Sequence, residues 1–278
     1  MTPASAEERR RTLAPFGRRR AEVVSVERVG AYTVFGARDA GGPSPVPGQF
    51  YMLATERGWG GGAGERPYLP RAFSYARAKP VADGVELDFL AEAVGPGTGR
   101  LCELEPGEGL LLTGPLGIGF APAMSGRPLL VGGGVGSAPL LALAGELGDR
   151  ARVTLGFRSA AHAEVASMFE PAPALATDDG SVGRRGLVTD LLREALGDDP
   201  LATVHACGPP AMLEAVRVLC AELGVPAQLA LEAGMACGFG ACFGCVVPTR
   251  EGYRRVCVDG PVLDAALLES ALVPGSGH

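Results

Sequence analysis

Lysine is all but missing from this sequence. Lys79 stands alone against 24 arginines, acidic residues number 31, and the formal net charge is −6. A net-acidic chain lacks the broad electrostatic pull that binding to nucleic acid or to anionic membrane needs. A single lysine also leaves no obvious lysine base for a second substrate pocket. Long apolar runs are missing too. The two longest charge-free windows, Gly109–Gly126 and Pro128–Gly145, are broken by glycine and proline and read as strand, loop and helix, not as a membrane span. The first twenty residues hold no apolar stretch of the kind a secretory signal carries, so the expected compartment is the cytoplasm. An odd number of cysteines, seven, without such a signal argues against a disulfide framework.

What is present begins with length. A chain of 278 residues, 47% hydrophobic and 20% charged, is long enough for two globular domains and an appendage. Glycine is abundant at 42 residues, and with arginine so dominant over lysine this reflects codon bias. Isolated glycine patterns therefore carry little weight alone.

The organisation changes along the chain. Residues 1–20 hold six arginines and two glutamates and read as a flexible basic arm. Short strand candidates follow at Ala21–Val26, Ala31–Ala37, Gln49–Ala54, Ala72–Ala76, Val85–Ala91 and Gly109–Thr113, which predicts a small antiparallel β-barrel over residues 21–125. Glu56–Pro67 is a glycine-rich loop within it. From 126 to 232 strands alternate with helices: strands at Pro128–Val131, Arg152–Phe157, Thr203–Cys207 and Ala227–Leu231, helices at Pro139–Leu147, Gly186–Leu196 and Pro209–Leu223. That alternation predicts a doubly wound α/β domain with a parallel sheet. Periodicity then stops. Residues 233–278 are too few for a core of their own and need a staple.

The staple is cysteine. Cys237, Cys242 and Cys245 are followed by Cys257, a C-x4-C-x2-C…C spacing that matches the plant-type [2Fe–2S] arrangement. Glycines at 238, 240 and 244 let the backbone fold tightly and aim N–H groups at the sulfurs. Zinc is the rival, but structural zinc sites usually pair two C-x2-C knuckles and only one is present.

Met235-Ala-Cys-Gly-Phe-Gly-Ala-Cys-Phe-Gly-Cys, with Arg255-Val-Cys-Val-Asp-Gly-Pro-Val-Leu-Asp264, resembles the electron-transfer subunit family of NAD-dependent dihydroorotate dehydrogenase, within the ferredoxin–NADP reductase-like superfamily. The resemblance runs from about Ala21 to about Leu268. The family usually has Glu-Arg before the methionine, where this chain has Ala233-Gly234; the four cysteines are intact. It implies a flavin-binding barrel, a nucleotide-binding domain and a small C-terminal [2Fe–2S] module.

Two weaker motifs gain meaning from it. Arg71-Ala72-Phe73-Ser74 is similar to the family's R-x-[YF]-[ST] flavin motif: an arginine can clamp a phosphate, Phe73 offers an apolar face, and Ser74 can donate near flavin N5. Val94-Gly-Pro-Gly-Thr98 then supplies Gly97 and Thr98 to the flavin phosphates; alone it would be an ordinary turn. The resemblance implies FAD more than FMN. Leu129-Leu-Val-Gly-Gly-Gly-Val-Gly-Ser-Ala-Pro139 is strand, glycine loop and helix start, a phosphate-binding form or a packing device. By resemblance Gly132, Gly133, Gly134 and Gly136 contact the nicotinamide nucleotide, and Cys207, Gly208 and Pro209 lie beside the nicotinamide. Cys207 is then a positioning residue, His205 a packed strand histidine, and Cys102 and Cys220 small hydrophobes. No catalytic side chain is expected.

Three functions compete. The first is an electron-transfer subunit joining NADH, FAD and a [2Fe–2S] cluster to an FMN-containing dihydroorotate dehydrogenase catalytic subunit, in a hetero-oligomer. The second keeps the chemistry and changes the partner to a ferredoxin, hydrogenase or oxygenase. The third is a sensor or zinc-stabilised scaffold, which the flavin and nucleotide motifs disfavour.

Overall fold

The structure, a computed structural model, describes residues 10–60, 67–123 and 126–273. Parts of the expected arm and of the loop 56–67 lie outside the described residues. Six strands close a barrel: β1 (Arg19–Val29), β2 (Tyr32–Ala40), β3 (Phe50–Thr55), β4 (Arg71–Val81), β5 (Gly84–Ala91) and β6 (Gly109–Leu116), in the order β1-β2-β5-β4-β3-β6. All the pairings are antiparallel. Period-two alternation explains the choice of strand. In β5, Val85, Leu87 and Phe89 point inward and are fully buried, while Glu86 and Asp88 alternate with them. Phe35 stacks on Phe89 at 5.5 Å, and Tyr51 meets Phe89 edge-on at 5.7 Å, which fills the barrel interior with aromatic rings.

The first strand starts two residues earlier than expected, and the reason is electrostatic. Arg19 donates to both carboxylate oxygens of fully buried Asp39, Nε to Oδ1 at 2.9 Å and Nη2 to Oδ2 at 2.7 Å, and Nη2 also donates to the Gly114 carbonyl at 2.6 Å. A buried carboxylate without its cation would cost several kcal/mol, about 3–5. Arg19 therefore belongs to the barrel wall, not to the arm.

A short helix, α1 (Pro96–Cys102), lies between β5 and β6 where the sequence read as a turn. Beyond the barrel, β7 (Pro128–Gly133), β8 (Arg152–Phe157), β9 (Ala174–Thr177), β10 (Arg184–Arg185), β11 (Thr203–Cys207) and β12 (Ala227–Ala230) form a parallel sheet in the order β10-β9-β8-β7-β11-β12. Helices cover both faces. Leu129 and Val131 of β7 pack with α4 (Val188–Asp198) and α5 (Pro210–Leu223). Leu130, between them, packs with α2 (Ser137–Leu147) on the other face, which also meets barrel residues Ala76 and Leu90. A one-turn helix, α3 (Ala160–Ala163), follows β8. The strands β9 and β10, four and two residues long, are too short to have stood out in the sequence.

The C-terminal segment does not stand apart. It forms a hairpin, β13 (Val246–Thr249) with β14 (Gly252–Arg255), then a helical turn, α6 (Val256–Asp259), and then β15 (Val262–Asp264), which pairs antiparallel with β12 as the seventh strand of the large sheet. No helix among the described residues is long and apolar enough to cross a membrane.

Candidate functional site

The four clustered cysteines come together as two pairs. Cys237 lies beside Cys242 and Cys257 beside Cys245, each close enough to perturb the other's thiol. Cys242 is exposed, Cys237 half-buried, and Cys245 and Cys257 buried. Among the described residues no three metal-ligating side chains converge on one ion position. Two facing pairs are what two tetrahedral irons require, since each takes two protein sulfurs and shares two sulfides. Burial alone would raise the Cys237 thiol, but N–H groups of Cys242, Phe239 and Ala241 bring it down to about 6. That shift favours the thiolate, the form that binds metal. Cys257, by contrast, is pushed up to about 12 by burial and by its bond with Cys245, a shift that a bound cation would reverse. The backbone N–H of Gly244 lies 3.4 Å from the Cys242 sulfur and that of Cys257 3.5 Å from the Cys245 sulfur.

Arg255 fastens this loop. Its backbone N–H donates to Asp259 at 2.7 Å, its Nη1 donates to the Gly240 carbonyl at 3.3 Å, and its guanidinium sits 5.4 Å from the Phe243 ring. Phe243 holds a left-handed backbone, φ 59°, unusual for a bulky residue, and its ring is exposed. The loop rests on the barrel through Gly238 (φ +79°). A Cβ there would fall 2.4 Å from Met52 Cγ. Met52 of β3 is in turn paired with Ala72 of β4. The cysteine loop therefore seats on the strand that pairs directly with Arg71-Ala72-Phe73-Ser74.

Around that strand the expected flavin residues gather. Ser74 is paired with Phe50, and Phe73 with Tyr51. Arg71 Nη1 donates to the Leu69 carbonyl at 2.6 Å, while its Nε and Nη2 face Gly97, where a Cβ would be only 2.9 Å from Nε. The Thr98 hydroxyl accepts from the N–H groups of Val94 and Gly95 at 2.9 and 3.0 Å and so shapes the start of α1. A guanidinium facing a side-chain-free helix start is a cradle for phosphate oxygens. The sequence reading missed Trp59, whose ring lies 5.8 Å from the Arg71 guanidinium and whose buried Nε1 has no partner among the described residues. Its signal was available: it is the one tryptophan of the chain, inside a glycine-rich loop. Met52 gave no signal at all.

The nucleotide residues meet at the carboxyl edge of the large sheet. Cys207 of β11 is paired with Gly132 of β7, and the loops that follow the two strands touch at Gly133, Gly136 and Gly208. A Cβ on Gly136 would strike the Cys207 carbonyl at 2.5 Å, so only glycine fits. Ser137 donates to the Gly134 carbonyl at 2.9 Å and closes the turn into α2. Val135 at its tip is exposed. Open sheets of this kind bind ligands at this edge. Burial raises the Cys207 thiol to about 12, so it is no nucleophile at neutral pH. His205 is buried with Nε2 donating to the Ala121 carbonyl at 3.1 Å, a packed strand histidine. Burial likewise raises the Cys102 and Cys220 thiols.

Comparison with known proteins agrees with this geometry. Residues 232–269 match the family model of the iron–sulfur cluster binding domain of dihydroorotate dehydrogenase B. The chain is 36% identical over 252 residues to the dihydroorotate dehydrogenase B (NAD(+)) electron transfer subunit of Caldanaerobacter subterraneus, covering 87% of this chain and 95% of that one. It is 44% identical over 234 residues to the same subunit of Bacillus caldolyticus, covering 79% and 85%. Among solved structures, an NADH-dependent reduced ferredoxin–NADP oxidoreductase studied for flavin-based electron bifurcation superposes with a TM-score of 0.75 at 27% identity, over 91% of each chain. A ferredoxin reductase of carbazole 1,9a-dioxygenase superposes at 0.64 with 25% identity, over 78% of this chain and 70% of that one. A barrel, a nucleotide-type sheet and a four-cysteine loop meeting on two neighbouring strands, in a sequence this close to its relatives, make the chain a member of the dihydroorotate dehydrogenase B (NAD(+)) electron transfer subunit family.

Proposed function

We propose that this chain carries electrons between NAD(H), FAD and a [2Fe–2S] cluster, to or from the catalytic subunit of dihydroorotate dehydrogenase. The observation that carries the reading is convergence on β3 and β4. The cysteine loop rests on Met52 of β3, the flavin motif lies on β4, and α2, which leaves the glycine loop, packs on Ala76 of β4. When bound, FAD takes the nicotinamide hydride as a pair and releases electrons singly, and the cluster accepts them one at a time.

The chain's own residues bind and orient. Arg71, Gly97 and Thr98 hold the flavin phosphates; Phe73 and Ser74 line the isoalloxazine, with Ser74 donating near N5 and Ala72 leaving the strand flat. Gly132, Gly133, Gly134 and Gly136 admit the nucleotide, and Cys207, Gly208 and Pro209 set the nicotinamide plane. Cys237, Cys242, Cys245 and Cys257 hold the cluster. Residues 21–125 serve the flavin, 126–232 the nucleotide and 233–278 the cluster, with β15 shared by the last two. The partner carries FMN and oxidises dihydroorotate; the nucleotide is NADH, and the place of action is the cytoplasm, where that pool is held. On this reading the chain alone does not oxidise dihydroorotate: its single lysine, Lys79, is exposed near the end of β4 and is not gathered with the flavin motif residues.

The test is the absorption spectrum of protein purified without oxygen, before and after one equivalent of NADH. Flavin bands and a broad long-wavelength shoulder should both bleach. A colourless protein that holds zinc and does not react sinks the redox reading.

A further inference from the structure

The basic N-terminal segment was expected to be free, yet its described part is fastened. Arg10 exchanges two hydrogen bonds with Gly119 beyond β6: Gly119 N–H donates to the Arg10 carbonyl at 2.8 Å, and Arg10 Nε donates to the Gly119 carbonyl at 2.9 Å. Thr12 exchanges two more with Gln49, whose Oε1 accepts from Thr12 N–H at 3.1 Å and whose Nε2 donates to the Thr12 carbonyl at 3.1 Å. Gln49 is wholly buried, and its amide also accepts from Val46 N–H and donates to the Gly117 carbonyl. A buried amide satisfied in this way fixes its partners, because leaving would orphan it.

From that anchor the segment reaches the cysteine loop twice. Arg11 Nη2 donates to the Val258 carbonyl at 2.5 Å, one residue past Cys257. Phe16 packs edge-on against Phe239 at 5.0 Å, between Cys237 and Cys242. The two contacts fall on the two separate stretches of chain that supply the thiols. The loop has little core of its own, so its shape depends on what touches it.

We propose that residues 10–16 are a strap, and that Arg11 and Phe16 are positioning residues that hold the cysteine loop around its iron–sulfur cluster. This rests on the electron-transfer reading above. Arg11 fixes the carbonyl beside Cys257, and Phe16 fixes the turn that carries Cys237 and Cys242. Loss of either contact would let the thiol pairs part and weaken their hold on the cluster.

The experiment uses the full holoprotein, wild type against the double variant Arg11→Ala/Phe16→Ala. Three quantities are read: the rate of iron release to a ferrous chelator, the electron paramagnetic resonance signal of the reduced cluster, and flavin bleaching by NADH. The double variant should lose iron about tenfold faster and show a shifted or broadened signal, while flavin bleaching stays within about twofold. Phe16→Tyr, which keeps the ring, should behave as wild type on the aromatic contact. Arg11→Gln leaves the anchors at Arg10 and Thr12 alone, and serves if the double variant does not fold. Unchanged iron release and an unchanged signal in both variants overturn the proposal. A wild type that bleaches its flavin but contains no iron overturns the electron-transfer reading and the strap with it.

Discussion

The barrel and the cysteine segment solve the problem of staying folded in different ways. In the barrel, Tyr51, Phe35, Phe89 and Leu53 are almost wholly buried, six strands satisfy one another's backbone groups, and no edge is left open. In the segment after Gly234, two four-residue strands form a single hairpin, and buried side chains such as Cys245, Val247, Val256, Cys257 and Leu263 join the core of the large sheet and make none of their own. Its walls are borrowed. Met52 and Leu116 come from the barrel, β12 from the large sheet, and Arg11 from the N-terminus. The barrel is stabilised by area, the segment by coordination and by neighbours. A redox centre that must exchange electrons with another protein has to sit near the surface, and a surface segment cannot bury enough area to hold itself.

The comparison breaks first at the thiols. Cys245→Ser should abolish the long-wavelength absorption altogether and loosen the segment, seen as faster amide hydrogen exchange over residues 235–258. The barrel's exchange and its flavin bleaching by NADH should stay close to wild type. If the barrel melts as well, the two regions are one cooperative unit and the contrast fails.

In the barrel the largest effect comes from area. Phe89→Ala removes a fully buried ring touched by Phe35 and Tyr51, and should cost about 3–5 kcal/mol of global stability, with loss of flavin, read from denaturant unfolding. A change under about 1 kcal/mol would mean that the barrel, like the segment, leans on its cofactor.

The smallest effect belongs to the C-terminal tether. The Arg217 guanidinium, opposed by partial burial and helped by the Ala271 N–H, holds the Glu214 carboxyl down at about 2. A carboxylate with a depressed folded value adds stability that is present above its ordinary pKa of about 4.5 and is lost as pH falls through 2. The pair lies at the surface and is screened by solvent, so the contribution is small, about 0.5 kcal/mol. The advantage of wild type over Glu214→Gln in thermal midpoint should be present at pH 6 and fade from pH 4.5 downward. An advantage that grows on acidification would reverse the sign of this account.

Much of this molecule could be read from the sequence. All six barrel strands were legible because a half-buried strand must alternate, and β7, β8, β11 and β12 because buried parallel strands are continuously apolar. The short β9 and β10 were not, since two to four residues carry no periodicity. The cysteine spacing was legible because a cluster fixes ligand number and reach. The N-terminal strap was not: its anchors are a buried glutamine amide and backbone carbonyls, and nothing in a run of arginines says that a carbonyl more than two hundred residues away will accept from one of them.

The sequence by itself determined the set of parts: a closed barrel, a doubly wound sheet and four thiols in a glycine-rich loop, because each follows from local periodicity or local spacing. Tertiary structure alone decided that the parts share walls. β15 crosses into the large sheet, Gly238 seats on Met52 one strand from the flavin motif, and Arg19 and Arg11 leave the basic arm to pair with Asp39 and Val258. These contacts join residues far apart in the chain, where charge, hydrogen bonding and close packing act through space and leave no periodic trace in the sequence.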